Sequence, residues 1–200
     1  MVDSNVASRF IVLDIETTGL RCCPVNRRSR QNALGRYDEI LQLALVDATG
    51  CVLFYDSFKP TEKKSWPQAQ RVHSIAPRDV KGKAPFQSRR AEIQGIIDAG
   101  ALIVAYNAEF DLGFLSAQGI KLQEKPYLCL MKEFACVYGR KKVHGHAYTY
   151  QSLEVCAQYY GVQNPEAHNA LADAQTTLYC YQAFMQEGKY RPRREKWSMP

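Results

Sequence analysis

Two acids interrupt an apolar run near the start of the chain: in "RFIVLDIETTGL", residues 9–20, Asp14 and Glu16 stand where a buried strand is otherwise written. Side chains alternate faces along a strand, so both acids project from one face, about 7 Å apart along the chain, at the strand's C-terminal end. Two carboxylates side by side in apolar surroundings repel one another and are costly to desolvate. A divalent cation removes that cost, and hard oxygen ligands suit Mg²⁺ or Mn²⁺. The plainer alternative is a pair of solvated acids at a strand end. Two further acids favour the metal. "IVAYNAEFDLGFL" sets Asp111 one turn into a helix that directly follows a strand, and "HNALADAQTT" sets His168 five residues before Asp173 near the start of another. A five-residue step turns about 500° in a helix, which leaves that pair about 140° apart. They converge only if His168 lies at the helix entry, where its imidazole can reach over bound metal. Taken alone, His168 reads as an ordinary exposed residue at a helix start.

The surrounding pattern supplies the elements that must position these groups. Residues 9–15, 38–47 and 51–58 are rich in Ile, Val, Leu, Phe and Tyr, and "DATG" at 47–50 makes a turn between the last two, which predicts three consecutive antiparallel strands. A proline-bearing loop is expected from Pro60 to about Pro85. "SRRAEIQGIIDAG" has helical spacing at Ile93, Ile96 and Ile97 with a stop at Gly100, and "ALIVAY" follows as a strand. Asn107 is expected to cap the helix "AEFDLGFLSAQ". A strand at 127–130, the helix "MKEFACVYG", a basic and aromatic loop at 139–150, the helix "LEVCAQYYG" after Ser152 and a long helix from about 168 to 186 complete the chain. Hairpin strands followed by alternating helices and strands imply the α/β class, with a mixed five-stranded sheet flanked by helices.

The length of 200 residues suits a single domain, with a core at about 9–186 and a basic C-terminal tail at about 187–200. The hydrophobic content is 46%, and no stretch approaches the roughly 18 apolar residues of a membrane span. "MVDSNVASRF" lacks the features of a signal peptide, so a cytoplasmic protein with no membrane partner is expected. Seven cysteines form an odd, scattered set, mostly inside apolar runs, which fits a reduced compartment. Cys129, Cys136, His144 and His146 match no common zinc spacing and are read as core and loop residues. The net charge of +6 is concentrated: residues 21–36 carry five arginines and no acid, and "KYRPRREKWSMP" carries five bases against Glu195. Such patches attract phosphate backbones, or simply keep loops solvated.

These residues, taken together, resemble the DnaQ-like 3′→5′ exonucleases in their DEDDh subgroup, from about Arg9 to Gln182. "DIETTGL", "NAEFDLGFL" and "HNALADA" match the three motifs in order and separation. In the rival subgroup a tyrosine stands four residues before the last Asp; here that position is Asn169, and His168 stands at five. "RVHSI" is similar to the family's His-Gly-Ile segment, and "LCLMK" with the compact length resembles the exodeoxyribonuclease X branch. The resemblance implies a ribonuclease H-like fold and two Mg²⁺ or Mn²⁺ ions per active site, held by Asp14, Glu16, Asp111 and Asp173. In it Asp14 bridges the two ions and His168 is the general base. It further implies that the backbone at Thr17 and Thr18 meets the terminal nucleotide, that Leu20 wedges against its base, and that Asn107 and Phe110 shape the floor of the site. The partner expected is a nucleic acid with a 3′ end, single-stranded DNA in the first reading, digested to nucleoside 5′-monophosphates. An exoribonuclease of the same superfamily is the alternative, and a non-catalytic nucleic-acid-binding module stands behind both. Homodimerisation and association with a polymerase are left open.

Three positions depart from the commoner pattern: Tyr106 stands for His before Asn, Ser74 for Gly, and Gln42 for a frequent Glu on the second strand. None removes a ligand, although Gln42 bears on support for the metals. The arginine-rich loop 21–36, just beyond Leu20, is read as a substrate clamp.

Overall fold

The computed structural model describes residues 9–22, 37–141, 148–189 and 191–198. Most of the arginine-rich loop, and His144 and His146, therefore lie outside the described residues. Strands β1 (Phe10–Thr17), β2 (Ile40–Asp47) and β3 (Val52–Ser57) form the expected antiparallel meander, while β4 (Leu102–Ala105) and β5 (Pro126–Cys129) extend it in parallel on the far side of β1. The order across the sheet is β3-β2-β1-β4-β5-β6. The sixth strand corrects the expected count of five: β6 (Glu195–Lys196) comes from the basic tail and pairs antiparallel with β5. Two charged residues carry no strand periodicity. What fixes them is the next residue, Trp197, which is buried and packs edge-on against Tyr127 at 6.0 Å.

Six α-helices are described: α1 (Pro67–His73), α2 (Arg90–Ala99), α3 (Ala108–Ala117), α4 (Leu130–Tyr138), α5 (Leu153–Tyr160) and α6 (Ala170–Glu187). The first lies within the segment expected to be loop. It starts with Pro at its first helical position and ends at Ser74 with φ 63°, closing a small cluster of Leu41, Trp66 and Val80. Elsewhere the periodicities hold. Ile11, Leu13 and Ile15 of β1 face α2 and α3, packing with Ile93, Ile97, Leu112 and Leu115. Phe10 and Val12 face the other way, against Leu130 and Phe134 of α4, Cys156 of α5, and Ala174 and Leu178 of α6. Cys129, Cys156 and Cys180 are buried and free, as small core side chains. No helix among the described residues is long and apolar enough to cross a membrane.

This two-sided core determines where the acids emerge. Asp14 and Glu16 continue the row of Phe10 and Val12, on the face that α6 covers. Asp111 comes from the opposite layer, one turn into α3, which begins directly after β4 beside β1.

Candidate active site

The first turn of α6 is built around His168. This residue has φ 65°, an uncommon conformation for a side chain other than Gly, two positions before the helix starts. The turn directs its backbone N–H onto Asp173 Oδ2 at 3.0 Å, so the pair that a continuous helix would hold apart converges at the helix entry. Side-chain ligand atoms of Glu16, His168 and Asp173 lie within 4.8 Å of one another. Asp14 and Asp111 fall outside that trio but belong to the same electrostatic cluster: the charges of Asp111, Glu16 and Asp173 all oppose ionisation of Asp14. His168 is exposed, whereas Glu16, Asp111 and Asp173 are buried.

Among the described residues none of these four carboxylates forms an ion pair with Lys or Arg. Burial pushes Asp14 and Asp111 well above the usual carboxylate range, and neighbouring acids push them further. Burial and then Asp173 push Glu16 up to about 8. Burial also raises Asp173, against the hydrogen bonds from Asn164 and from the His168 N–H that favour its charged form. Acids so placed either take up protons or receive positive charge from outside the chain. An all-oxygen donor set with a neighbouring imidazole fits hard divalent cations.

The remaining site residues sit around this cluster. The turn after β1 is locked by Asp38, whose carboxylate accepts from Thr18 Oγ1 at 3.1 Å and from the Arg21 N–H at 3.0 Å, and pairs with Lys63 at 3.1 Å. A Cβ on Gly19 would meet that carboxylate at 2.6 Å, so a side chain there has to displace Asp38. The locked turn projects Leu20, which is 83% exposed. The carbonyl of Thr17 accepts from His73 Nε2 at 3.1 Å, and Nδ1 of the same ring accepts from the Ile75 N–H at 3.0 Å, which assigns the neutral tautomer. Burial lowers the His73 pKa, in keeping with that neutral form. Asn107 does occupy the N-cap of α3, but its side chain makes no capping bond; the Phe110 and Asp111 N–H groups bond its carbonyl instead. The expectation of side-chain capping is thereby corrected, and the exposed amide is left facing outward. Phe110 stacks at a tilt on Phe114, 4.9 Å between centroids.

Asn164 and Tyr55 escaped the sequence reading, which named Gln42 and Tyr106 only as departures from the commoner pattern. Asn164 donates to Asp173 Oδ1 at 2.6 Å from the loop before α6. Gln42 sits opposite Glu16 in the β1–β2 ladder, and its Oε1 accepts the Ala170 N–H at 2.9 Å. Tyr55 reaches Asn169 from the edge strand. Tyr106, in the place of the family's His, is buried and donates to the carbonyls of Gln151 and Ser152, away from the acids. Only Gln42 carried a signal, since period-two counting along β2 puts it on one face with Ala44, the partner of Asp14.

Comparison with known proteins agrees with this arrangement. The epsilon subunit of DNA polymerase III from Escherichia coli (strain K12) is 30% identical over 193 residues, spanning 90% of this chain and 72% of that protein. The PolC-type DNA polymerase III of Staphylococcus haemolyticus is 27% identical over 90% of this chain, but the chain spans only 12% of that protein's length. Among solved structures, exonuclease X in complex with 5′ overhanging duplex DNA superposes with a TM-score of 0.62 at 22% identity, covering 91% of this chain and 94% of the other. The nuclease domain of 3′hExo, a DEDDh family member bound to rAMP, gives 0.67 at 13% identity, covering 98% and 100%. The model of the RNase T exonuclease family matches residues 11–181, and on that match the chain belongs to this exonuclease family.

Proposed function

We propose that the chain releases nucleoside 5′-monophosphates one at a time from the 3′ end of DNA, with Asp14, Glu16, Asp111 and Asp173 holding two Mg²⁺ or Mn²⁺ ions and His168 acting as general base. The observation that carries this reading is the convergence of four carboxylates, none paired with Lys or Arg among the described residues, beside an exposed histidine held at a helix entry. Bound divalent ions in such a site neutralise phosphate charge and raise the acidity of water at neutral pH. The chain's own residues supply the rest. His168, exposed and beside Asp173, would take the proton of the attacking water, and histidine is the side chain suited to that exchange near neutrality. Leu20, presented by the locked turn, would wedge against the terminal base. Thr17 and Thr18 would approach its sugar and phosphate through their backbone, with Asn107 and Phe110 forming the floor. Apolar contact and stacking tolerate any base, which suits digestion regardless of sequence.

DNA is favoured by the overhanging duplex held by exonuclease X, and RNA is the second reading, favoured by the rAMP held by 3′hExo. Kinship with the epsilon subunit supports association with a polymerase as a further possibility to test by co-purification. The deciding experiment incubates 3′- and 5′-labelled DNA and RNA oligonucleotides with Mg²⁺, Mn²⁺ or EDTA. The proposal expects the 3′ label to leave first as a mononucleotide, only with metal, and faster from DNA. Loss of the 5′ label first, or cleavage in EDTA, would contradict it.

A further inference from the structure

The hydroxyl of Tyr55 stands at the centre of a hydrogen-bond relay that ends on the His168 turn. Tyr55 lies on β3, the edge of the sheet, and is 41% exposed. A phenolic oxygen offers two lone pairs and one proton. Both lone pairs are used here: Gln42 Nε2 donates at 3.1 Å and Asn169 Nδ2 donates at 3.1 Å. Asn169 meets that hydroxyl with both ends of its amide, Nδ2 donating and Oδ1 standing 3.5 Å from the phenolic oxygen, and Oδ1 also accepts the Leu171 and Ala172 N–H groups at 3.0 and 3.2 Å. Gln42 Nε2 faces Tyr55 and Ser57, so its Oε1 is left to accept the Ala170 N–H at 2.9 Å. Three successive N–H groups of the first turn of α6 are thus received by two amides that both contact the Tyr55 hydroxyl, with Ser57 assisting at Gln42.

The residue next to this turn is His168, held at φ 65°. A non-glycine residue in that region is strained and persists only where its surroundings over-determine it. Asp173 fastens the turn from inside through the His168 N–H, and the relay fastens it from the sheet edge. We infer that Tyr55 is a positioning residue for His168, acting through Asn169 and Gln42, so that the accuracy of proton transfer depends on a hydroxyl on the far edge strand. The inference rests on the reading of His168 as the general base.

Double-mutant kinetics test it. Tyr55→Phe removes only the hydroxyl from a half-exposed ring, and single-turnover release of the 3′ nucleotide should slow about 10-fold with little change in KM, the usual scale for outer support of an active site. His168→Ala should slow turnover at least about 10²-fold. In the His168→Ala background Tyr55→Phe should cost nothing further, because the group it positions is gone. Asn169→Ser, which keeps a helix-capping oxygen but has no amide to meet Tyr55, should reproduce the Tyr55→Phe phenotype. If Tyr55→Phe turns over at the wild-type rate, or slows both backgrounds equally, the inference is overturned. An inactive wild type, or an unaffected His168→Ala, would instead overturn the reading on which it rests.

Discussion

At the scale of single residues the site shows two backbone conformations that cost energy, and they differ in what the cost is for. His168 at φ 65° directs its N–H to Asp173 and its ring to the acids, so relieving the strain would disperse the cluster. Ser74 at φ 63° caps α1, and its exposed side chain does none of this. A left-handed conformation costs an L-residue roughly 1–2 kcal/mol, part of which glycine returns through the greater freedom of its unfolded chain. Ser74→Gly should therefore stabilise the protein by about 0.5–1 kcal/mol, seen as a rise in Tm of roughly 1–4 °C, with nuclease activity unaltered. A fall in Tm would mean that the hydroxyl has a role not visible in its contacts. Neighbouring His73 is different in kind: one ring nitrogen accepts from Ile75 and the other donates to Thr17, so the buried ring satisfies both positions while neutral.

At the scale of elements the acids are presented by the ends of β1, α3 and α6, and the exposed Leu20 by the turn after β1. That turn is rigid because Asp38 bonds both its flanks and fills the space above Gly19. Gly19→Ala should force the carboxylate aside, loosen Leu20 and weaken oligonucleotide binding several-fold, while metal binding by the acids is kept. Unchanged affinity in a titration of labelled oligonucleotide would show that the turn needs no such lock. Much of this level was legible in the chain itself. Period-two alternation placed Asp14 and Glu16 on one face, and the strand-to-helix step placed Asp111 one turn into its helix, because both follow from local geometry; that Asp111 joins the other acids was implied only by the family resemblance. The convergence of His168 with Asp173 required a helix entry that only the positive φ makes, and that angle leaves no mark in residue type. Gln42, Tyr55 and Asn164 act through hydrogen bonds across strands and loops, so their roles depend on register and on loop paths that periodicity does not encode. For the same reason β6 was missed: its anchor is the burial of Trp197 against Tyr127, a contact between residues 70 positions apart.

At the scale of the whole molecule the acidic cluster links function to stability. Glu16 titrates at about 8 in the folded, metal-free chain against an ordinary 4.5, and Asp14 and Asp111 are shifted the same way. The folded state therefore holds protons that the unfolded state has released, and the sign of linkage makes stability fall as pH rises from about 4.5 through about 8. Melting of the metal-free protein should show Tm decreasing across that interval, and added Mg²⁺ or Mn²⁺ should restore more at pH 8 than at pH 5, where protons occupy the ligands. A Tm that rises over the same interval would mean the acids are solvated or paired. The most direct test that these acids hold catalytic metal is Asp14→Asn, which keeps the shape and removes the charge. Single-turnover release of a 3′-labelled terminal nucleotide at saturating Mg²⁺ should fall at least about 10²-fold while the metal-free Tm at pH 8 equals or exceeds that of the wild type. Release at the wild-type rate by the folded variant would contradict the account.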